Sequence, residues 1–143
     1  MGTTAARKLN YATIANYDVV AGATVTVGFG VTMATATTVQ NAAASSDFII
    51  GIAHTSATST VAGDANVDVF LFAPVVPVVI ATDGTATLGA KATWTDDAAA
   101  DGFTNAETLT TAGEQGIYGV FVQSGTAGEI VGMQLALGRH THS

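Results

Sequence analysis

Three short strings occur twice in this 143-residue chain, in the same order. Gly22-Ala23-Thr24-Val25-Thr26-Val27 is echoed by Gly89-Ala90-Lys91-Ala92-Thr93-Trp94, Ile50-Gly51-Ile52 by Tyr118-Gly119-Val120, and Ala62-Gly63-Asp64 by Ala127-Gly128-Glu129. The paired glycines Gly22/Gly89, Gly51/Gly119 and Gly63/Gly128 stand 67, 68 and 65 residues apart. Each unit reads as a strand opened by a Gly turn, a buried strand with a central Gly, and an acidic Gly turn into an alternating strand. Spacings of this size mark repeated supersecondary units, although Gly-turn hairpins look alike in any small β-barrel. The predicted organisation is a single β-domain over 19–143, with related halves at about 19–72 and 85–137.

Periodicity supports an all-β chain. Val25, Val27, Phe29 and Val31 alternate with Thr26, Gly28 and Gly30, the period of a half-buried strand. Phe48 to Ala53 is a short apolar run suited to a strand buried on both faces. Val75 to Ile80 is β-branched, but Pro77 cannot donate to a ladder, which predicts an edge strand or bulge. Asp83-Gly84 is a hairpin signal, and further strands are predicted at 85–88, 91–95, 117–123 and 130–137. The segment 32–46 reads either as a strand and loop or as a loop with one helical turn. The acidic, Gly-containing segment 96–114 reads as a long surface loop. Residues 1–18 lack steady alternation and read as an N-terminal arm, or as the first strand of the domain.

Charge narrows the choice of partner. Charged residues make up 10% of the chain, against about 25% in an ordinary domain, so the surface is poorly defended against association. All 11 acidic residues fall between Leu9 and Gly138 with Lys91 as the one cation there, while Arg7, Lys8 and Arg139 sit towards the ends. Such a body repels phosphate backbones and anionic membranes. No nucleic-acid or membrane partner is expected. Another protein covering the surface is, and so is a homo-oligomer. With no cysteine, disulfides and thiolate metal sites are excluded. The longest apolar run, Val69 to Ala81, has 13 residues and contains Pro74 and Pro77, short of the roughly 20 of a helical membrane span. The N-terminus has no apolar stretch resembling a secretory signal.

No constellation reaches the standard of a catalytic site. His54, with Thr55-Ser56 and Asp64 or Asp68, allows a Ser/His/Asp arrangement to be drawn, but no serine sits in a Gly-x-Ser-x-Gly elbow. His140-Thr141-His142 offers two imidazoles near the C-terminus, short of the four ligands of a structural metal site, and reads as a solvated tail. Asp64-Ala65-Asn66-Val67-Asp68 opens like a calcium loop, but Val69 stands at the glycine position. Asp96-Asp97 with Asp101 reads as a solvated acidic loop. Gly28-Phe29-Gly30 lacks the lysine and helix of a phosphate loop. The expectation is no enzyme, no cofactor and no metal. Trp94 and Phe121 are predicted core residues.

Three segments together carry a resemblance. They are Leu88-Gly89-Ala90-Lys91-Ala92-Thr93-Trp94; Gly116-Ile117-Tyr118-Gly119-Val120-Phe121-Val122; and Ala127-Gly128-Glu129-Ile130-Val131 leading to Met133-Gln134-Leu135. Over about 48–137 the chain resembles the capsid cement, or head decoration, proteins of tailed bacteriophages. The resemblance implies a small β-barrel or β-tulip-like sandwich, usually trimeric. Such a protein would be made in the host cytoplasm and bind the outer capsid surface of the virion, clamping neighbouring major capsid protein subunits. The residues expected to touch the capsid are Arg7, Lys8, Tyr11, Ile14 and Tyr17, in the arm. A β-structured adhesin or carbohydrate-binding module is the alternative reading, and a small hydrolase ranks third.

Overall fold

The computed structural model describes residues 12–43, 48–95, 101–106 and 113–142, with backbone alone for 113–115 and 137–142. All regular structure among them is β. The first half holds β1 (Thr13–Val19), β2 (Thr24–Val25), β3 (Gly30–Met33), β4 (Thr38–Asn41), β5 (Ile49–Ala53), β6 (Ala57–Thr58) and β7 (Asn66–Phe72). The second holds β8 (Val76–Val79), β9 (Thr85–Ala86), β10 (Lys91–Trp94), β11 (Phe103–Asn105), β12 (Gly113–Phe121), β13 (Gly125–Thr126) and β14 (Ile130–His142).

The strand order of one half recurs in the other. A closed barrel runs β1-β4-β3-β5-β7, and a five-stranded sheet runs β11-β10-β12-β14-β8, each strand lying seven places on from its counterpart. The barrel closes through a parallel pairing of β1 with β4, Asp18 beside Thr38 and Val19 beside Val39. At the same place the second sheet makes only the parallel bridge Ile80–Phe103. Two-residue ladders, β2 with β6 and β9 with β13, repeat as well.

Side chains repeat with the backbone. Thr26 N donates to Asn41 Oδ1 at 3.1 Å and Val27 N to Ser56 Oγ at 2.8 Å. Thr87 N donates to Asn105 Oδ1 at 2.9 Å and Leu88 N to Ser124 Oγ at 3.0 Å. These bonds match Gly28, not Gly22, with Gly89, and both carry positive φ, 83° and 84°. The first of the three string pairings is therefore displaced by one turn. That turn repeats within a half: Gly22 also has positive φ, 83°, so two similar Gly turns compete for the match. Gly51 and Gly119 do correspond. A Cβ at either would run into the neighbouring strand's carbonyl oxygen, that of Phe70 or Gln134.

There are two cores, and the second packs the halves together as one unit. Val19, Val25, Val31, Val39, Val67 and Val69 fill the barrel, whose interior admits little more than branched aliphatics. The second core is aromatic: Trp94 lies edge-on to Phe103 at 4.9 Å, and Phe103 to Tyr118 at 6.2 Å. It takes in Ile49, Ile52 and Ala73 of the first half, and Phe29 meets Trp94 at 5.5 Å across the junction. Pro77 lies on the sheet's edge strand as its missing N–H predicts. Val79 N on that edge donates to Gly28 O at 3.2 Å, which covers the edge with the first half.

Four expectations need correction. Residues 13–18 are not part of an arm: they form barrel strand β1, hydrogen-bonded along β7. Of the 32–46 segment, residues up to Asn41 belong to hairpin β3–β4, its turn organised by Thr35 Oγ1 accepting from Thr38 N at 3.1 Å, and 44–46 lie outside the described residues. Asp83-Gly84 does not join a hairpin, since β9 pairs with β13. The 96–114 segment contains β11, whose Phe103 is fully buried. Phe103, between Gly102 and Thr104, is a lone large apolar residue in its strand and carries no period.

Candidate functional site

Of the residues expected to touch a capsid, Arg7, Lys8 and Tyr11 lie outside the described residues. Ile14 and Tyr17 sit in β1 on opposite faces, as strand alternation requires. Tyr17 is half-buried and packs on the barrel core, so it is a barrel residue. Ile14 faces outward, 46% exposed, at the end of the β1–β7 pair where Phe72 is 57% exposed. These two apolar side chains mark where residues 1–11 join the barrel.

Phe70, paired with Ile14, continues that face, and beyond it the face is polar. Asn16 pairs with Asp68 and Asp18 with Asn66 across β1 and β7. Asn16 Nδ2 donates to Asp68 Oδ1 at 2.9 Å and to Asn66 Oδ1 at 3.2 Å. His54 follows β5, its ring tilted against Phe70 at 4.4 Å and its N–H bonded to Asp68 O at 2.8 Å. The loop hydroxyls are engaged in backbone support: Ser56 accepts from Val27 N, and Thr55 from Asp68 N at 3.0 Å. Ser56 Oγ is thus engaged by Val27 N and the Asp68 carboxylate by Asn16 Nδ2.

Asp64 braces its own turn. Its carboxylate accepts from Thr60 Oγ1 at 2.6 Å, Ser59 Oγ at 2.7 Å and Thr60 N at 3.1 Å. These bonds, the Thr60 hydroxyl foremost, hold it well below the usual carboxylate range. Glu129 repeats the role, with Oε2 accepting from Thr126 N at 2.7 Å. The calcium-like string is thus divided, Asp64 serving a turn and Asn66 and Asp68 a strand face. Among the described residues, no three His, Asp or Glu side chains are grouped to hold a metal. His140 and His142 lie in β14, paired with Gln115 and Gly113 of β12, so the backbone there is strand rather than tail. Asp96 and Asp97 lie outside the described residues.

The arrangement defines an all-β protein of two matched β units. No family model matches the chain, and no curated protein matches its sequence. Among solved structures it is similar to the N base of the head fibre protein gp8.5 of bacteriophage phi29. The TM-score is 0.63 and the identity 12%, over 87% of this chain and 95% of that one. At that identity the likeness is one of fold. Sequence reasoning missed the matched outer faces, because Asn66, Asp68, Ile130 and Gly132 align only once the register is known.

Proposed function

We propose that this chain is a non-enzymatic structural protein of a tailed-phage virion, bound to the outer surface of the head and clamping neighbouring coat subunits. The observation that carries the reading is the shared fold, over nearly the whole length of both chains, with the base of a phage head fibre. A charge-poor, acidic surface supports it, since such a surface is better buried on a protein than left in solvent. So does the use of Ser56, Asp64 and Asp68 as structural hydrogen-bond partners.

Attachment runs through the Ile14–Phe72 end of the barrel together with residues 1–11, which carry Arg7, Lys8 and Tyr11. Cations ahead of an acidic body give an ion-pairing term that screens with salt. Binding to the assembled lattice alone stabilises that lattice by mass action. Copies of the chain associate on the head, a trimer being favoured.

Co-sedimentation with heads assembled from the coat protein encoded in the same genome tests the reading. Saturable binding that raises the heads' disruption temperature is expected. Deleting residues 1–11 should weaken binding about tenfold, roughly 1.4 kcal/mol, and salt should weaken the full chain modestly. No binding to such heads would refute the assignment. Binding unaffected by the deletion would remove residues 1–11 from the contact.

A further inference from the structure

His140-Thr141-His142 is a metal-binding string that the proposed function leaves unused. In a solvated tail, an ion that joined the two imidazoles would have to order the backbone between them, at an entropic cost. In β14 that backbone is already ordered: His140 pairs with Gln115 and His142 with Gly113 across β12. Strand alternation sets residues 140 and 142 on one face and Thr141 on the other. Two residues along an antiparallel strand span about 6.8 Å. That is within reach of a single ion bonding each imidazole nitrogen at about 2 Å.

The register also fixes which face this is. Tyr118 belongs to the second core and lies over Gly116, where a Cβ would run into its hydroxyl. Ile117, between them in sequence, takes the opposite face, is half-buried, and pairs with Gly138. Residues 138, 140 and 142 share the Ile117 face, away from the Tyr118 packing. Glu114, Arg139 and Thr141 fall on the other, through the pairs Gly116–Arg139 and Glu114–Thr141. β8 pairs with β14 over Ile130–Met133, and β10 with β12 at Gly119 and Val120. Among the described residues, 138–142 therefore pair with β12 alone.

We propose that His140 and His142 together bind a divalent late first-row transition metal, Zn2+, Cu2+ or Ni2+, with water in its remaining positions. Imidazole nitrogen suits these ions, whereas Ca2+ and Mg2+ take oxygen ligands. The chain's net charge of −7 draws cations towards it, and Arg139, between the two histidines in sequence and Gly138, is on the opposite face. Two protein ligands leave the site open, unlike the four of a closed structural site, so the ion exchanges and the fold stands without it. Metal binding is a property of the chain alone, with or without a head.

Isothermal titration of the full chain with NiCl2 at neutral pH tests the site. The unaltered chain should take up Ni2+ in a saturable step. His54→Gln, which removes the remaining histidine, should leave that step unchanged. His140→Gln and His142→Gln should each weaken it at least about tenfold, with an unchanged circular dichroism spectrum. Thr141→His with His142→Gln keeps two neighbouring histidines but sets them on opposite faces of the strand, and should bind no better than the single variants. If a glutamine variant fails to fold, the alanine variant takes its place with the same expected direction. No saturable Ni2+ uptake by the unaltered chain would overturn the proposal. So would uptake that survives a folded substitution at either 140 or 142, or uptake by the shifted pair as tight as the original.

Discussion

Trp94 sits where three stabilising demands meet: it is fully buried, it contacts Phe103, and it receives Phe29 from the other half. Its indole Nε1 is buried without a hydrogen-bond partner, so the residue contributes through packing. Trp94→Ala is expected to cost about 3–5 kcal/mol in denaturant unfolding, the range for emptying a large core site. Trp94→Phe should cost clearly less, since the N–H it removes was unpaired. Asp64 works the opposite way, through hydrogen bonds at an exposed turn. Its carboxyl titrates below its ordinary 3.8 in the folded chain, so its stabilisation is present above that pH and fades as pH falls through the lowered value. Asp64→Ala should therefore lower the melting temperature at neutral pH, and the gap to the unaltered chain should close in strong acid. A gap that is constant with pH would mean the carboxylate is not what holds the turn.

At the scale of strands, Gly51 and Gly119 are required by the approach of a neighbouring backbone. Gly51→Ala and Gly119→Ala should each destabilise by roughly 1–3 kcal/mol, because a carbonyl rather than a flexible side chain must move. This is why Ile50-Gly51-Ile52 and Tyr118-Gly119-Val120 echo each other legibly in the sequence: the constraint falls on one residue type. Pro77 at an edge was legible for the same reason. The Gly22 string was misleading because the turns at Gly22 and Gly28 are locally alike, and only long-range bonds to Asn41 and Ser56 distinguish them. β11 was invisible, since one buried Phe103 between polar neighbours has no period. The sequence left β1 open between an arm and a first strand because it is half-exposed: Thr13, Ile14, Asn16 and Asp18 all face solvent. The corrected boundary has a direct consequence. Removing residues 1–11 should leave the barrel folded, whereas removing 1–16 deletes the β1 residues paired with Val69, Phe70 and Phe72. The longer truncation should lose cooperative unfolding or melt well below the shorter one.

Over the whole molecule, one strand order is used twice with two different surfaces. The first half is a closed valine-filled barrel whose outer face is polar around Asn16, Asp18, Asn66 and Asp68 and apolar at its Ile14–Phe72 end. The second is an almost closed sheet with an aromatic core and an apolar outer face. Closure, and the cover that Gly28 gives to the Pro77 edge, remove most of the open ladder that would invite indiscriminate strand pairing. What is left is side-chain surface, of which the Ile14–Phe72 end is the one proposed to meet a head. The most direct test of its place on a virion is cryo-electron microscopy of virions from the phage that encodes it. Density outside the coat shell that fits the paired β units, lost when the gene is deleted, is the expected result. Virions with the same outer density with and without the gene would contradict the account.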